Sequence, residues 1–363
     1  MASAIQEMMD HPTETILVTG AGGFVGGTLV EALHFAGNYR VLAGIARWSS
    51  APRIARLPVT LLQCDVLKPD ELADAFAGVD YVIHCAASDD RRIIVEGTKN
   101  VLSAAVKTGV KRVVHLSSVA VYGEATGGID EETEPPPGTL SAYGEAKTAA
   151  EALCKDVQRD LDVVIMRPSI IYGPFSSRWT MLYALRLKSG RWRHLGALGQ
   201  GKCNLVHVHD VVRYTISALR QDGVAGEVFN LNGSEAVTWN DYLKRFNHQL
   251  GLPAMASQTT GHTRFKTEAM GPIRAIGKYA VKHHRSQLLW LSHRSDNLKH
   301  LMQQTELTLK CTPSPDELSL FSRDTYYLTT KAERAFGFRS KISVDEGLAM
   351  SVIWLNHMGE PAI

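Results

Sequence analysis

The tightest constraint this chain places on its own fold is a glycine-rich turn, Thr19-Gly20-Ala-Gly-Gly23-Phe-Val-Gly26, between a short apolar run and a helical pattern. In that context Gly20 permits a tight turn, Gly23 lets backbone N–H groups approach a pyrophosphate, and Gly26 allows close helix packing. Phe24 and Val25 open the helix and join the three glycines as candidate dinucleotide contacts. The alternative is a plain glycine-rich turn, which the flanking strand and helix disfavour.

Apolar runs recur at 15–19, 40–45, 59–63, 81–84, 112–116 and 162–166, with amphipathic stretches near 23–36, 95–108 and 143–160. Strands alternating with helices of this length predict an α/β fold, a doubly wound parallel sheet covered on both faces. After Tyr172 the alternation turns irregular, Gly173-Pro174 ends a strand, and basic and aromatic residues accumulate through His194. A smaller, discontinuous substrate lobe is expected at 173–203 and 233–363, with a long insertion at about 252–321. The nucleotide-binding domain is expected at 13–172, with the chain returning to the sheet near 204–232, at 205–210 and 227–231.

Composition bounds the function. Hydrophobic residues make up 45% of the 363-residue chain and charged residues 21%, enough for one large core or two smaller ones. Lys and Arg number 39 against 37 Asp and Glu, a formal net charge of +2, so no global field argues for nucleic acid or a membrane. Cys64, Cys85, Cys154, Cys203 and Cys311 are scattered without a CxxC pair, which predicts the reduced thiols of a cytoplasmic protein. Residues 1–12 carry Glu7 and Asp10 and do not resemble a secretory signal. No stretch reaches the roughly 20 apolar residues of a spanning helix.

The insertion sets basic residues beside apolar runs, from Pro272 to Arg285 and in Gln287-Leu-Leu-Trp-Leu291. That pattern fits a surface helix lying on a membrane as a peripheral contact or covering a greasy substrate. It fits better a helical lid or dimer face with solvated Lys and Arg. His283 and His284 are adjacent and do not share a helix face, so no metal site is expected.

At the end of the second strand, where a carboxylate would accept from ribose hydroxyls, Gly44-Ile-Ala-Arg47-Trp48-Ser-Ser50 offers no acid. Arg47, with Arg53 nearby, can instead meet a 2′-phosphate, which leans the cofactor from NAD toward NADP; a solvated loop arginine is the alternative. Asp65 either accepts from an adenine amino group or caps a nearby helix. The fourth strand ends in His84-Cys-Ala86-Ala87, small residues suited to a backbone passing beneath a cofactor, with His84 read as structural.

The second strong signal is Ser141-Ala-Tyr143-Gly-Glu-Ala-Lys147. A tyrosine four residues before a lysine shares its helix face, so the ammonium can lie beside the phenol and favour the phenolate. That makes Tyr143 a candidate acid/base near neutral pH.

Taken in order, the glycine loop, His84 to Ala87, Ser117-Ser118-Val-Ala-Val-Tyr-Gly123, Tyr143-xxx-Lys147 and Arg167-Pro-Ser-Ile-Ile-Tyr-Gly-Pro174 resemble the extended short-chain dehydrogenase/reductase superfamily, its NAD-dependent epimerase/dehydratase group. The resemblance covers about 15–246 and a closing segment near 331–354. It implies a Rossmann domain, a nicotinamide cofactor, hydride transfer at a carbinol or carbonyl carbon, and a homodimer. It further implies that Ser118, 143 − 118 = 25 positions before the tyrosine, holds the substrate oxygen. Tyr143 would exchange that oxygen's proton, and Lys147 would bind the ribose and lower the tyrosine's pKa. Val66, Ala86, Ala87, Pro168 and Ile170 would line the cofactor alongside the residues above.

Departures from the family pattern narrow the expectation. Val119 and Ala120 stand where sugar dehydratases carry Asp-Glu, and Ile170 and Cys203 stand where nucleotide-sugar epimerases carry asparagine and arginine, with Lys202 a partial substitute. Ile94 replaces a further family asparagine. The segment Tyr326 to Phe338, with Glu346-Gly-Leu348, is similar to the 3β-hydroxysteroid and sterol dehydrogenase branch. The expected activity is an NAD(P)-dependent oxidoreductase of a small-molecule secondary alcohol or ketone, sterol-like or multi-ring. The rivals are a UDP-sugar 4-epimerase and a non-catalytic NAD(P)-binding regulator.

Overall fold

Seven parallel strands build one sheet: β1 (Thr15–Thr19), β2 (Arg40–Ile45), β3 (Thr60–Gln63), β4 (Tyr81–His84), β5 (Arg112–Leu116), β6 (Asp162–Pro168) and β7 (Val228–Leu231). The computed structural model describes residues 14–277, 279, 283 and 296–359. Strand order is β7-β6-β5-β4-β1-β2-β3, every neighbouring pair parallel. The central strands are apolar on both faces, as a covered parallel sheet requires, and all of β1 is buried.

Helices α1 (Phe24–Ala36), α2 (Pro69–Ala75), α3 (Arg91–Thr108), α4 (Ala142–Asp156), α5 (Val208–Ala218) and α6 (Thr330–Phe336) accompany the sheet. On one face Leu17, Val82, Val113 and Val163 meet Leu72 of α2, Val101 and Ala105 of α3, and Cys154 of α4. Ile16 and Val18 point to the other face, and α1 packs on α5. Local signals place the helix ends: Asp90 caps α3 by accepting from Arg92 N, Gly109 ends it at φ 72°, and Ser141 caps α4 by accepting from Gly144 N. Strand order reverses between β1 and β4, where ligands of doubly wound sheets bind.

The chain divides into two compact units, the first running to Ser169 and taking in Val206–Asn232 and Tyr327–Lys341. The sequence reading gave that last segment to the substrate lobe. It belongs with the sheet because Phe338 packs 4.6 Å from Tyr214 of α5, Phe336 packs 5.0 Å from Phe229 of β7, and Lys341 N donates to the Asp210 carboxylate. A second correction concerns 205–210: β7 joins the sheet as expected, but Leu205–His207 lies outside it. There His207 caps α5 through its ring Nδ1, and the helix begins at Val208.

The second unit comprises Ile170–Leu205, Gly233–Tyr326 and Ile342–Ile363. Its core is aromatic, with Trp239 4.6 Å from Phe321 and stacked 6.0 Å from Tyr183. The Arg186 guanidinium lies 4.4 Å from the Trp192 ring centre and pairs with Glu317 at 2.7 Å. Within the insertion, helices span Thr260–Ala269, Asp296–Lys310 and Pro315–Ser322. The Gln287-to-Leu291 run and His284 lie outside the described residues. Among the described residues, no helix is long and apolar enough to cross a membrane.

Among the described residues of the first unit, His84, His115 and His207 are buried. Burial, then the nearby Lys147 ammonium, pushes His84 down to about 3; the same two causes hold His115 well below its ordinary range; and burial, then His209, pushes His207 down to about 3. Below about pH 6.5 the unfolded chain binds protons that these folded imidazoles refuse. Stability is therefore expected to fall as pH drops from about 6.5 toward about 3, and His84→Gln should flatten part of that slope. Urea midpoints at pH 7.5, 6 and 5 check this, and a midpoint flat across the series contradicts it.

Candidate active site

The glycine loop is shaped by backbone meeting backbone. Gly20 adopts φ +68° and passes so close to β4 that a Cβ there would lie 2.8 Å from Ala86 Cα. A Cβ on Gly26 would collide with the Gly20 carbonyl oxygen, so the helix can start directly over the turn only with glycine. Gly23 N donates to Gly20 O at 2.9 Å, and Ala21 N donates to Gly44 O at 3.0 Å, which ties the loop to β2. Gly23 is the N-cap of α1 and supplies no side-chain cap, so the first-turn amides, including those of Phe24 and Val25, keep their positive end open to an anion.

The residues after β2 fold back over this loop. A Cβ on Gly22 would strike Ser50, whose hydroxyl donates to Arg47 O at 2.7 Å. Arg47 itself is exposed there. Arg53 is engaged elsewhere: it pairs with Glu31 at 2.6 Å and donates to Thr28 Oγ1 and Phe24 O at 2.9 and 3.1 Å. It braces α1.

Asp65 is half-buried and accepts from Leu67 N at 3.1 Å, a local turn; the N-cap of α2 is Lys68, which makes no side-chain cap, so Asp65 is not that N-cap. Val66 puts its side chain in the core against Gly97, and its carbonyl accepts from Asn100 at 3.0 Å. Ala86 lies under the glycine loop, and Ala87 is exposed beside it. Pro168 ends β6 opposite Leu231. Ile170 belongs to the second unit, where it packs on the aromatic core and its N–H donates to Asn204 O at 3.0 Å.

Beneath the loop, Thr98 Oγ1 donates to Ile94 O and so accepts from His84 Nε2, which leaves His84 Nδ1 to accept from Thr19 Oγ1 at 2.8 Å. His84 is thus a neutral strut. Lys147 is 3% exposed; it donates to Leu116 O at 2.6 Å, and burial pushes its pKa down to about 8. Its Nζ lies 5.9 Å from the centre of the Tyr143 ring, and Tyr143 is 39% exposed, so the pair spans from interior to surface. Ser118 stands at the end of β5, where its hydroxyl accepts from Ala120 N at 3.2 Å and starts the turn Val119–Tyr122. A Cβ on Gly144, the residue after Tyr143, would lie 2.5 Å from the Ala120 carbonyl, so glycine lets α4 dock on that turn.

A buried polar network went unread in the sequence. Glu151 accepts from Ser117 Oγ and pairs with Arg167, which donates to the Tyr122 hydroxyl at 2.7 Å. Tyr122, pushed up to about 12 chiefly by burial, donates to Asn230 Oδ1 at 2.7 Å. Asn230 N donates to Glu131 at 2.8 Å. Glu151 continues the Tyr143-xxx-Lys147 spacing by one turn, the signal that could have found it. A separate cleft of about 530 Å³, lined by Glu131, Phe229, Lys331 and Arg334 among others, holds none of the expected site residues. Among the described residues, no cluster of three or more His, Cys, Asp or Glu could hold a metal ion.

Comparison with known proteins identifies the family and the fold. The model of the NAD dependent epimerase/dehydratase family matches residues 16–232. UDP-glucose 4-epimerase of Vibrio cholerae is 28% identical over 316 residues, 76% of this chain and 90% of that protein. Sterol demethylase protein B of Methylococcus capsulatus is 33% identical over 254 residues, 66% of this chain and 75% of that protein. The crystal structure of UDP-glucose 4-epimerase from Thermotoga maritima with UDP-glucose shares the fold at a TM-score of 0.71 and 21% identity, covering 95% of this chain and all of that one.

Because folding holds Lys147 at a pKa of about 8, the buried ammonium opposes folding at neutral pH, and the penalty fades as pH rises from about 8 to about 10.5. After allowing for the lost bond to Leu116, Lys147→Met is expected to raise stability by about 2 kcal/mol at pH 7. That gain should shrink above about pH 8. Denaturant unfolding at pH 7 and pH 10 checks it; a gain independent of pH contradicts the buried charge.

Proposed function

This chain belongs to the NAD-dependent epimerase/dehydratase family of extended short-chain dehydrogenase/reductases, and on that premise we propose that it is an NAD(P)-dependent dehydrogenase or reductase acting on a secondary alcohol or ketone of an apolar, sterol-like or multi-ring substrate. The observation that carries the reading is the Lys147 ammonium held beside Tyr143, with the Ser118 turn docked on the same helix through Gly144. Ser118 holds the substrate oxygen, and Tyr143 takes or returns its proton. Lys147 fixes the ribose and favours the phenolate through its charge. The nicotinamide, when bound, supplies or accepts the hydride.

The residues fit such a cofactor. Gly20 and Gly26 let the loop and α1 pack backbone against backbone, which any Cβ would prevent, and the uncapped start of α1 suits a pyrophosphate. Exposed Arg47 and the missing acid after β2 favour NADP.

Val119 and Ala120 bring no acid or base next to Ser118, which disfavours sugar dehydration. Ile170 and Cys203 bring no charge either, and burial pushes the Cys203 thiol well above its ordinary range, so it stays neutral. The sterol demethylase relative supports the apolar substrate. Exposed Phe265 and Ile276 in the insertion suit a greasy ligand or a peripheral membrane contact. The five free thiols suit a cytoplasmic setting, and the family resemblance implies a homodimer.

A second reading, a UDP-sugar 4-epimerase, is favoured by the Vibrio cholerae relative. Cofactor turnover separates the two. With a 3β-hydroxysteroid the protein should produce net reduced cofactor at 340 nm, with kcat/KM at least about tenfold higher for NADP than for NAD. Redox-neutral conversion of UDP-glucose to UDP-galactose, without net reduced cofactor from the steroid, contradicts the proposal.

A further inference from the structure

The turn that carries Ser118 is fastened at both ends to one carboxylate. Ser117, immediately before it, donates its hydroxyl to Glu151 Oε1. Tyr122, which closes it, accepts from Arg167 Nη1 at 2.7 Å, while Arg167 Nε and Nη2 grip the two Glu151 oxygens at 2.9 and 2.6 Å. Between these anchors Gly144 seats the Ala120 carbonyl against α4. One helical turn before Glu151, Lys147 holds Leu116 O at 2.6 Å. Helix α4 therefore fixes Leu116 and Ser117 directly and Tyr122 through Arg167.

Stability does not explain this arrangement. Glu151 is 4% exposed and Arg167 7%, and a buried ion pair generally stabilises no better than apolar residues of similar volume. What a bidentate guanidinium–carboxylate pair supplies is fixed geometry. Here that geometry is imposed on the backbone just before and after Ser118.

We propose that Glu151, acting through Ser117 and Arg167, is a positioning residue that fixes Ser118 and the Leu116 acceptor of Lys147 relative to Tyr143. The inference rests on the reading of Ser118, Tyr143 and Lys147 as the reacting set. Releasing either end of the turn lets Leu116 to Ser118 shift. The Lys147 ammonium then loses its fixed place beside the phenol, and the Tyr143 proton becomes harder to remove.

The test needs no substrate. The Tyr143 phenol is titrated by ultraviolet difference absorbance in NAD-saturated protein, each variant being paired with its own Tyr143→Phe counterpart. Glu151→Gln strands the buried Arg167 charge and risks misfolding, so Ser117→Ala and Tyr122→Phe carry the experiment. Both are expected to raise the Tyr143 titration by about 0.5 pH unit or more, Ser117→Thr to restore it, and NAD affinity to stay within about twofold throughout. If both folded, NAD-binding variants titrate as wild type, the positioning role is overturned. If Tyr143 in the wild-type protein titrates as an ordinary exposed phenol, the reading beneath it is overturned instead.

Discussion

An ammonium held away from water at the carboxyl end of a parallel sheet needs a fixed acceptor, and Lys147 has one in the Leu116 carbonyl at 2.6 Å. The rest of the site is arranged around that buried charge. His84 and His115 stay neutral near it, so no second cation competes for the space. Tyr143, one turn earlier on α4, lies over it and reaches the surface. Ser118 follows the same strand end by two residues, so the interaction that anchors the lysine also sets where the hydroxyl begins.

The sheet makes this possible by letting backbone replace side chain where strands and helices converge. Gly20 against Ala86, Gly26 over Gly20, and Gly144 against Ala120 are three contacts that a Cβ would prevent. The first two shape the glycine loop at the switch between β1 and β4, and the third brings α4 onto the turn after β5. Fold and chemistry are linked through these close approaches, which explains why the glycines read so clearly.

Legibility in the sequence followed range. The glycine loop, the strand periodicity and Tyr143-xxx-Lys147 are local patterns, and the structure has the strands and helices close to the expected places. Local spacing on α4 marks Glu151 but not its partners, which pair across 16 residues (Arg167 to Glu151) and 108 residues (Tyr122 to Asn230), contacts that no local spacing encodes. Residues 205–210 misled for a related reason. Alternating Val and His reads as a strand of the main sheet, whereas Leu205–His207 is a short strand outside it, and His207 caps the helix that follows. The segment 327–341 was given to the wrong unit because the aromatic contacts of Phe336 and Phe338 lie more than a hundred residues away in sequence.

Val119, Ala120, Ile170 and Cys203 bear on the proposed substrate, whereas Tyr143 bears on the proton. Tyr143→Phe removes one oxygen atom and leaves the Lys147 bond to Leu116 in place. Cofactor affinity and single-turnover hydride transfer of this variant, measured side by side with the wild type, isolate the part played by that oxygen. If Tyr143 moves the proton, affinity stays within about threefold of wild type and hydride transfer slows by about 10²-fold or more. Hydride transfer at the wild-type rate would contradict it.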